Sequence, residues 1–513
     1  MRPAPQKNLS ETQRRFLLLV LFITGAVALI IEIVGTRVIS PYYGQSLYSW
    51  SALITVTLIA LAGGYSLGGR QADRNPNLTL LSRTLSLAGA AAALIPLLKN
   101  PVLKFTSPLG IQIGALASAT FLMAPTLVLL GALGPLAVKL TTSEISSVGK
   151  SAGDVYALST MGSVFGAALA GFALIPHLAI SHIFYGISCL LLGLGAWGSY
   201  LSQLKIPLPT LSAAAAVLAW GFWPRALPDI NVLFNKDSPY GQIKVVDFDG
   251  KRYLLVNGTT QSMADIGTME TDSQYIQGVQ WAALLRPKTR KALVIGVGAG
   301  LLPGILEKNY HLSVDTVDID PEIVQTAKTY FNFSPRGRIF LEDGRTYLER
   351  TQNRYGLIIL DAFGSETPPY HLFTQEAFQA MKSRLEPDGI LAINLVTLVH
   401  GPGLKPWESA YKTLIQVFPE VRAFLAGETY EDIGNVLFFC SNAPLEGHPS
   451  KTGPGARTQL KYMLAHELKV PQPHLAQAIA MTDDHAPMEY LLAQTCLRWR
   501  SQLQRKIPEI LLY

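Results

Sequence analysis

One stretch, Lys291–Leu302, constrains the fold of this chain more than any other. It opens with the continuous apolar run Leu293–Ile295, typical of a buried strand, and then places glycines at alternate positions, Gly296, Gly298 and Gly300. Glycine lets the backbone turn tightly and approach a ligand without a side chain in the way. The pattern predicts a βα unit of the nucleotide-binding type. Because a glycine-rich turn can also be a plain helix cap, this interpretation needs support from elsewhere in the chain.

Two later strand ends supply that support, because each carries a carboxylate. Asp318 and Asp320 end the second predicted strand, and Asp343-Gly344 follows the third. Acids at such positions hold ribose hydroxyls in nucleotide-binding folds. Leu301 stands where the third glycine of a dinucleotide-binding G-x-G-x-x-G pattern would be. We therefore interpret the turn as a site for a nucleoside sulfonium such as S-adenosyl-methionine, with a NAD site as the alternative.

Helical and strand patterns alternate through residues 289–513, which predicts a doubly wound, parallel α/β sheet of Rossmann type with its ligand at the carboxyl ends of the strands. Residues 231–288 precede it and carry alternating apolar residues on both sides of Asp249-Gly250. That dipeptide favours the tight turn of a β-hairpin. We expect a small β-hairpin or sheet subdomain in residues 231–288, followed by the Rossmann-like domain.

The first 230 residues differ in composition from the rest. The chain is 49% hydrophobic and 15% charged, which is too apolar for a wholly soluble protein. We expect residues 1–230 to form a multi-pass membrane domain of about seven helices, each near the ~20 residues that a bilayer core demands. The predicted segments are Phe16–Ile39, Ser51–Gly68, Leu81–Leu98, Gly110–Val138, Val155–Ile175, His182–Leu201 and Leu208–Trp223. The small residues that would let these helices pack closely include Gly63, Gly64, Gly68, Gly69, Gly162, Gly166 and Gly171.

The basic residues set the expected topology. Lysine and arginine precede the first segment and follow the second, which places the N-terminus in the cytoplasm of a cell (inner) membrane protein. The first segment is too long for the core of a signal peptide, and we expect it to remain as an anchor. Seven full crossings would leave the C-terminal domain outside, whereas its nucleoside cosubstrate is made in the cytoplasm. We expect a cytoplasmic domain, with the seventh segment interfacial or the fourth re-entrant; an external domain is the alternative.

Charged residues inside the apolar segments are candidate functional groups. A carboxylate in a membrane helix, such as Glu32, is costly and usually faces a partner or a cavity. Arg37, on the same segment, is a candidate ion-pair partner, and a role in binding or transport is the alternative. Asp154 and Tyr156 have the same two interpretations, with Asp154 as a helix cap in the structural one.

Composition also excludes some classes of site. Cys189, Cys440 and Cys496 lie far apart without metal-ligand spacing, so we predict neither a disulfide framework nor a metal site. The formal net charge is +6, and part of it comes from basic residues that flank apolar segments. This indicates membrane topology rather than a nucleic-acid surface, so we expect a lipid bilayer and no nucleic acid as partner.

Together these motifs resemble the spermidine synthase family, the polyamine aminopropyltransferases, and more closely its membrane-bound members, in which a multi-helix domain precedes a synthase-like domain. The resemblance covers nearly the whole chain. In the C-terminal part it rests on Ser238–Gln242, Asn257-Gly258, Gln261, Tyr275, Gly296–Gly300, Asp318–Asp320, Asp343-Gly344, Tyr355–Phe363 and His371–Phe373. In the N-terminal part it rests on Gly25–Leu29, Glu32, Arg37, Gly68–Arg70, Asp73-Arg74, Gly131–Pro135, Tyr156 and Gly162. Thr482–Pro487 resembles a further signature of the membrane-bound branch.

The resemblance implies a role for each site residue by its position. Asp318 would hold the ribose and Asp343 would lie near the adenine amino group. The other cosubstrate-binding residues would be Gln242, Gly296, Gly298, Gly300, Asp320 and Gly344. Catalysis would fall to Asp361 and Tyr275, and substrate binding to Gln261, Tyr275, Asp361 and Glu366. The resemblance further implies a homodimer that uses decarboxylated S-adenosyl-methionine as cosubstrate and an amine such as putrescine as acceptor, with no permanently bound cofactor.

Elementary chemistry agrees with the role of Asp361. Attack on the carbon beside a sulfonium requires a neutral amine, yet an alkyl amine has a pKa of about 10.4. A carboxylate at the amine accepts its proton as the new bond forms and stabilises the charge that develops. Asp361 follows the apolar strand residues Leu357–Leu360, at the end where a ligand is expected. A cap on the next turn is the structural alternative.

Two positions depart from the family's pattern. Ala299 stands where an acid usually meets the amine of the cosubstrate, and Gly364 stands where a second acid usually follows the catalytic one. Both departures remove negative charge from a site for polycations, which Glu366, Glu270 or Asp272 would have to restore. A neutral loop would also accept intact S-adenosyl-methionine. A methyltransferase-like enzyme is therefore one alternative function, and a membrane transporter or sensor with a non-catalytic polyamine- or nucleoside-binding domain is another.

Overall fold

The computed structural model describes residues 9–44, 47–142, 148–202, 231–364, 366–401, 405–430, 432–445, 461–462 and 464–506, with single positions at 212, 215 and 219. The chain divides into two compact units, residues 1–227 and 228–513. The first is helical. The second combines two β-sheets with shorter helices.

Long apolar helices make up the described part of the N-terminal unit: α1 Glu11–Tyr43, α2 Leu47–Arg74, α3 Leu78–Thr106, α4 Gly110–Thr141, α5 Val148–Leu169 and α6 Ile180–Leu201. A π-helical stretch, Ala170–Leu174, extends α5 to His177. A 3₁₀ turn joins α3 to α4, so the described residues contain 5 helical runs long and apolar enough to cross a membrane. These helices cover the first six predicted segments. The seventh, Leu208–Trp223, lies outside the described residues apart from the single positions.

Glycines bring pairs of these helices into backbone contact. Among the glycines that were predicted to pack helices, those whose added Cβ would overlap a neighbouring helix backbone are Gly64 and Gly68 of α2, which face α4, and Gly162 and Gly166 of α5, which face α1. In the same set, an added Cβ would meet nothing within 4 Å at Gly63, Gly69 and Gly171. The close packing expected from small residues therefore uses one glycine of each adjacent pair in α2.

The polar residues singled out in the helices have distinct surroundings. Glu32 is half-buried and hydrogen-bonds to Thr57 of α2, which ties α1 to α2. Arg37 is buried in the same unit. Asp154 is exposed within α5, well after the first residue of that helix, Val148. The interpretation of Asp154 as a helix cap is therefore wrong, because a cap precedes the first turn.

A four-stranded antiparallel sheet opens the second unit: β1 Asn231–Asp237, β2 Gln242–Phe248, β3 Lys251–Val256 and β4 Thr259–Asp265, in that spatial order. The predicted hairpin is confirmed. Asp249 and Gly250 join β2 to β3 with φ of 50° and 73°. Asn257 and Gly258 join β3 to β4 with φ of 51° and 76°. Two consecutive positive φ values give the turn a twist that matches the twist of the paired strands.

An eight-stranded mixed sheet follows, built from β5 Lys291–Ile295, β6 Ser313–Asp318, β7 Ile339–Leu341, β8 Tyr355–Leu360, β9 Leu385–Leu398, β10 Glu420–Tyr430, β11 Ile433–Ser441 and β12 Glu467–Leu468. Its spatial order is β12-β10-β11-β9-β8-β5-β6-β7. The strands β5–β9 run parallel, as predicted. The prediction of a wholly parallel sheet is wrong at one edge, where β10–β12 pair antiparallel. The connection from β10 to β11 is a tight hairpin, whereas a parallel pair needs a crossover of a dozen or so residues.

The described helices of this unit include α7 Gln274–Leu285, α8 Leu301–Tyr310, α9 Pro321–Tyr330, α10 Gly344–Arg350, α11 Gln375–Ser383, α12 Pro406–Ile415, α13 Gln472–Gln477 and α14 Met488–Lys506. β8 is buried along its whole length, which explains its unbroken apolar sequence. β5 lies between β6 and β8. The chain adds β6 and β7 on one side of β5 and then crosses to the other side to add β8 and β9. That reversal opens a crevice at the carboxyl ends of the strands, where ligands of such sheets bind.

Candidate active site

The glycine turn follows β5 at the carboxyl end of the strand. Gly296, Gly298 and Gly300 all have positive φ, at 95°, 53° and 74°. A Cβ on Gly296 would overlap the backbone carbonyl of Asp361, and one on Gly300 would overlap the Phe333 ring. Both the dihedral angles and the close approaches therefore require glycine here, as the sequence predicted.

Asp318 is held by the backbone on both of its oxygens. The Val297 amide donates to Oδ2 at 2.8 Å, and the Asp320 amide donates to Oδ1 at 2.9 Å. Burial raises the pKa of Asp318 to about 6, although the two amide donors oppose that rise. The carboxylate is thereby fixed at the end of β6.

Asp320 has mainly a structural position. Its Oδ1 accepts from the Glu322 amide at 2.9 Å and caps α9, and its Oδ2 accepts from the Ser238 hydroxyl at 2.6 Å. Only 4% of the residue is exposed. Asp320 therefore anchors the loop after β1 to the start of α9. It lies beside Asp318, with which it was expected to hold the ribose hydroxyls.

Asp343 combines a helix cap with a histidine partner. Its Oδ1 accepts from the amides of Arg345 and Thr346 at 2.9 and 3.0 Å, and its Oδ2 lies 2.9 Å from His371 Nε2. The His371 hydrogen bond lowers the pKa of Asp343 to about 2. Gly344 follows directly, where a Cβ would press on the Ile295 side chain. Asp343 therefore stays ionised over the whole physiological pH range. No role was predicted for His371 from the sequence.

Asp361 directly follows β8, at the carboxyl end of the strand, and its amide donates to the Ile295 carbonyl at the end of β5. Asn394 Nδ2 donates to Asp361 Oδ1 at 2.9 Å, and the Tyr275 hydroxyl at the start of α7 donates to the same carboxylate. Burial raises the pKa of Asp361, and these two donors oppose the rise. Burial and the charge of Asp361 raise the pKa of Tyr275 well above its ordinary value. The structure therefore brings together the predicted pair, Asp361 and Tyr275. Asn394 was missed, although a polar residue inside an apolar strand was a visible signal.

The small sheet reaches the glycine turn through β4. The Ser262 hydroxyl accepts from the Ala299 amide at 3.2 Å, a contact that the sequence did not suggest. Gln261 precedes it and is partly buried, as is Gln242 at the start of β2. Glu366 is buried and accepts from the Thr259 hydroxyl at 3.1 Å.

The two positions that lack an acid differ in their surroundings. Ala299 is 1% exposed beneath β4. Gly364 is exposed, and the nearest atom to an added Cβ is a carbonyl oxygen at 3.8 Å. Two of the acids considered as compensation contact lysines: Glu270 lies 3.9 Å from Lys308, and Asp272 lies 2.9 Å from Lys251.

The segment Thr482–Pro487 supports the site from outside. Asp483 accepts two hydrogen bonds from the Arg345 guanidinium, both 2.8 Å long, and one from Thr374 at 2.7 Å. Arg345 lies in the first turn of α10, next to Asp343. This signature segment therefore holds in place the helix that Asp343 caps.

Comparison with known proteins gives four findings. A family model described as the spermine/spermidine synthase domain matches residues 274–425. A polyamine aminopropyltransferase from Vibrio vulnificus is 36% identical over 185 residues, 33% of this chain and 61% of that protein. An N-terminal histidine N-methyltransferase from Emericella nidulans is 31% identical over 160 residues, 30% of this chain and 28% of that protein. The chain thus spans less than two thirds of either relative. A solved probable spermidine synthase from Corynebacterium glutamicum aligns with 51% of this chain and 97% of its own, at 17% identity and a TM-score of 0.40.

Proposed function

We propose that this chain, whose residues 274–425 match the spermine/spermidine synthase domain, is a polyamine aminopropyltransferase. It transfers the aminopropyl group of decarboxylated S-adenosyl-methionine to an amine acceptor such as putrescine and releases methylthioadenosine. In this proposal the nucleoside lies over the glycine turn, with its ribose at Asp318 and its adenine near Asp343. Gln242, Gly344 and the anchored Asp320 complete the cosubstrate side.

The reaction requires one proton acceptor. The acceptor nitrogen forms a bond to the propyl carbon while the carbon–sulfur bond breaks, and the electron pair of that bond leaves on sulfur as a neutral thioether. The nitrogen then carries a positive charge and a proton that Asp361 accepts. Because the leaving group is neutral, the site needs no general acid for it.

The observation that carries this proposal is the position of Asp361. Its carboxylate ends β8 beside the glycine turn and is held by Asn394 and by Tyr275. A carboxylate with a raised pKa in a buried crevice is suited to proton transfer. Gln261 and Glu366, on or against β4, are the proposed binding residues for the rest of the acceptor.

The test is release of methylthioadenosine by the purified, detergent-solubilised full chain, supplied with decarboxylated S-adenosyl-methionine and putrescine. We expect release that depends on both substrates. Asp361→Asn should reduce the rate by about 10²–10⁴-fold while leaving methylthioadenosine affinity unchanged. No release from the wild type with any of a panel of mono-, di- and polyamines would refute the proposal.

One other function has a specific observation in its favour. Ala299 and Gly364 leave the site with less negative charge than a polycation site usually has, and one relative is an N-terminal histidine N-methyltransferase. Methyl transfer from intact S-adenosyl-methionine is therefore the second candidate. Release of S-adenosylhomocysteine in place of methylthioadenosine identifies it.

We further propose that the N-terminal unit anchors the enzyme in a cell membrane and that the active enzyme is a cytoplasmic-facing homodimer. The 5 apolar helical runs support the anchoring, by length and composition. Fusion of a reporter that fluoresces only in the cytoplasm to the C-terminus tests the orientation. Light scattering of the solubilised protein, with the detergent mass subtracted, tests the dimer.

A further inference from the structure

A line of side chains crosses three neighbouring strands next to the proposed base. In the parallel pair β8–β9, Leu360 is in register with Ile393, which puts the next residues, Asp361 and Asn394, side by side. In the antiparallel pair β9–β11, Asn394 lies opposite Leu437, so Asn435 is its diagonal neighbour on the same face of the sheet. Diagonal neighbours on one face are close enough for their side chains to meet.

These side chains are hydrogen-bonded in series. Asn435 Nδ2 donates to Asn394 Oδ1 at 3.0 Å, and Asn394 Nδ2 donates to Asp361 Oδ1 at 2.9 Å. An ionised carboxylate only accepts, so Asn394 must turn its NH₂ toward Asp361 and its oxygen away. Asn435 satisfies that oxygen with a donor. The reversed amide would leave two acceptors facing each other at Asp361.

We propose that Asn435 and Asn394 form a positioning relay that orients the Asp361 carboxylate and holds it ready to accept the proton of the acceptor amine. This inference rests on the proposed function. Neither asparagine is a catalytic residue, because each acts through the next group in the line. Asn394 is 3% exposed, so the amide next to Asp361 is shielded from competition by water.

The relay also affects the titration of Asp361. In the described part of the chain, the groups that act on the pKa of Asp361 are Asn394 of β9, which lowers it, and Tyr275 of α7, which also lowers it. Burial opposes both and raises the pKa overall. Loss of the Asn394 donor therefore raises the pKa further. A hydrogen bond to a charged group corresponds to a shift of about one pH unit or more.

The first experiment is the pH profile of kcat/KM for the acceptor amine, measured by methylthioadenosine release with the cosubstrate saturating at every pH, so that protonation of Asp318 in the free enzyme does not contribute to the acid limb. Asn394→Ala should move the acid limb to higher pH by about one unit, and Asn435→Ala should move it in the same direction by less. Ser441→Ala is the matched control. Ser441 is fully buried on β11 and donates to the Gly389 carbonyl at 2.9 Å, but it does not contact the relay. It should lower the melting temperature and leave the acid limb in place.

A second measurement needs no turnover. The difference in stability between the wild type and Asp361→Asn, followed against pH by thermal unfolding, reports the protonation of Asp361. The pKa of Asp361 is higher in the folded protein than in the unfolded chain. The stability of the wild type relative to Asp361→Asn should therefore fall as the pH rises through the folded pKa. In an Asn394→Ala background the midpoint of that change should move to higher pH. The partly buried Asn435 gives a milder variant for the same comparison should Asn394→Ala fail to fold.

The outcomes separate the two claims. An unmoved acid limb and an unmoved stability midpoint in both variants would overturn the relay, whatever the activity. A wild type that releases no methylthioadenosine, but whose stability midpoint moves in the variants, would support the relay and refute the proposed function.

Discussion

In the proposed function Asp318 holds the ribose, so its pKa should make cosubstrate affinity depend on pH. Each oxygen of this carboxylate accepts a backbone amide, from Val297 and from Asp320. A proton added to either oxygen competes with one of those donors and removes a lone pair from the side that would face the ribose. Only the ionised form should therefore bind the nucleoside well, and affinity should fall as the pH falls through the pKa of about 6.

The magnitude follows from a single protonation equilibrium. A group with a pKa of about 6 is almost fully ionised at about pH 7.5 and about one-tenth ionised at about pH 5. The Kd for methylthioadenosine should then be about tenfold higher at the lower pH, equivalent to about 1.4 kcal/mol. Isothermal titration of the solubilised protein over this range measures it directly. Methylthioadenosine is the right probe because it has no aminopropyl group and therefore brings no alkyl amine to Asp361.

Two neighbouring acids provide the controls. The pKa of Asp343 is about 2, so it stays ionised throughout and adds no slope. Asp361→Asn should keep the full pH dependence, whereas Asp318→Asn should bind weakly at every pH with a flat profile. A flat profile in the wild type would refute the reasoning, as would a slope that disappears in Asp361→Asn and persists in Asp318→Asn.

Three further predictions concern other parts of the molecule. Gly364→Asp should lower the KM for putrescine severalfold, because an added Cβ there makes only an ordinary contact, 3.8 Å from the Thr367 carbonyl oxygen, and the carboxylate adds an attractive charge. Gly364→Asn is the uncharged control, and equal KM values in both variants would refute this. Arg345→Ala should lower the free energy of unfolding by about 1 kcal/mol, measured by denaturant titration, because its partner Asp483 is partly exposed; an unchanged stability would mean that this ion pair contributes nothing. Gly68→Val should destabilise the protein by about 1–3 kcal/mol and so lower the melting temperature of the solubilised protein. Gly69→Val, on the open side of the helix, should not. Equal effects would contradict the assigned packing of α2 on α4.

Local features of the fold could be predicted from the sequence because they are determined by residues close together in the chain. The hairpin at Asp249-Gly250 needs two residues that tolerate positive φ, and the turn at Gly296–Gly300 needs backbone without side chains. The apolar helices of the first unit follow from run length alone. Each of these depends on residues within about one turn or one hairpin of each other.

Strand order depends on distant parts of the chain. The prediction of a parallel sheet was right for β5–β9, where helices alternate with strands. The antiparallel edge depends on a hairpin between β10 and β11, and the apolar sequences of these two strands do not distinguish antiparallel from parallel pairing. Which glycine of an adjacent pair faces a neighbour is likewise set by the rotation of a helix against its partner, as Gly68 and Gly69 illustrate.

The residue types at the strand ends were sufficient to name Asp318, Asp343 and Asp361 from the sequence, because parallel strands deliver their carboxyl ends to one edge of the sheet. Only the tertiary structure decided what each acid does there. It engages Asp320 in a cap and places Asn394 and Asn435 in line with Asp361. The physical reason is that a hydrogen bond depends on distances of a few tenths of an ångström between groups far apart in the chain, and strand register sets those distances.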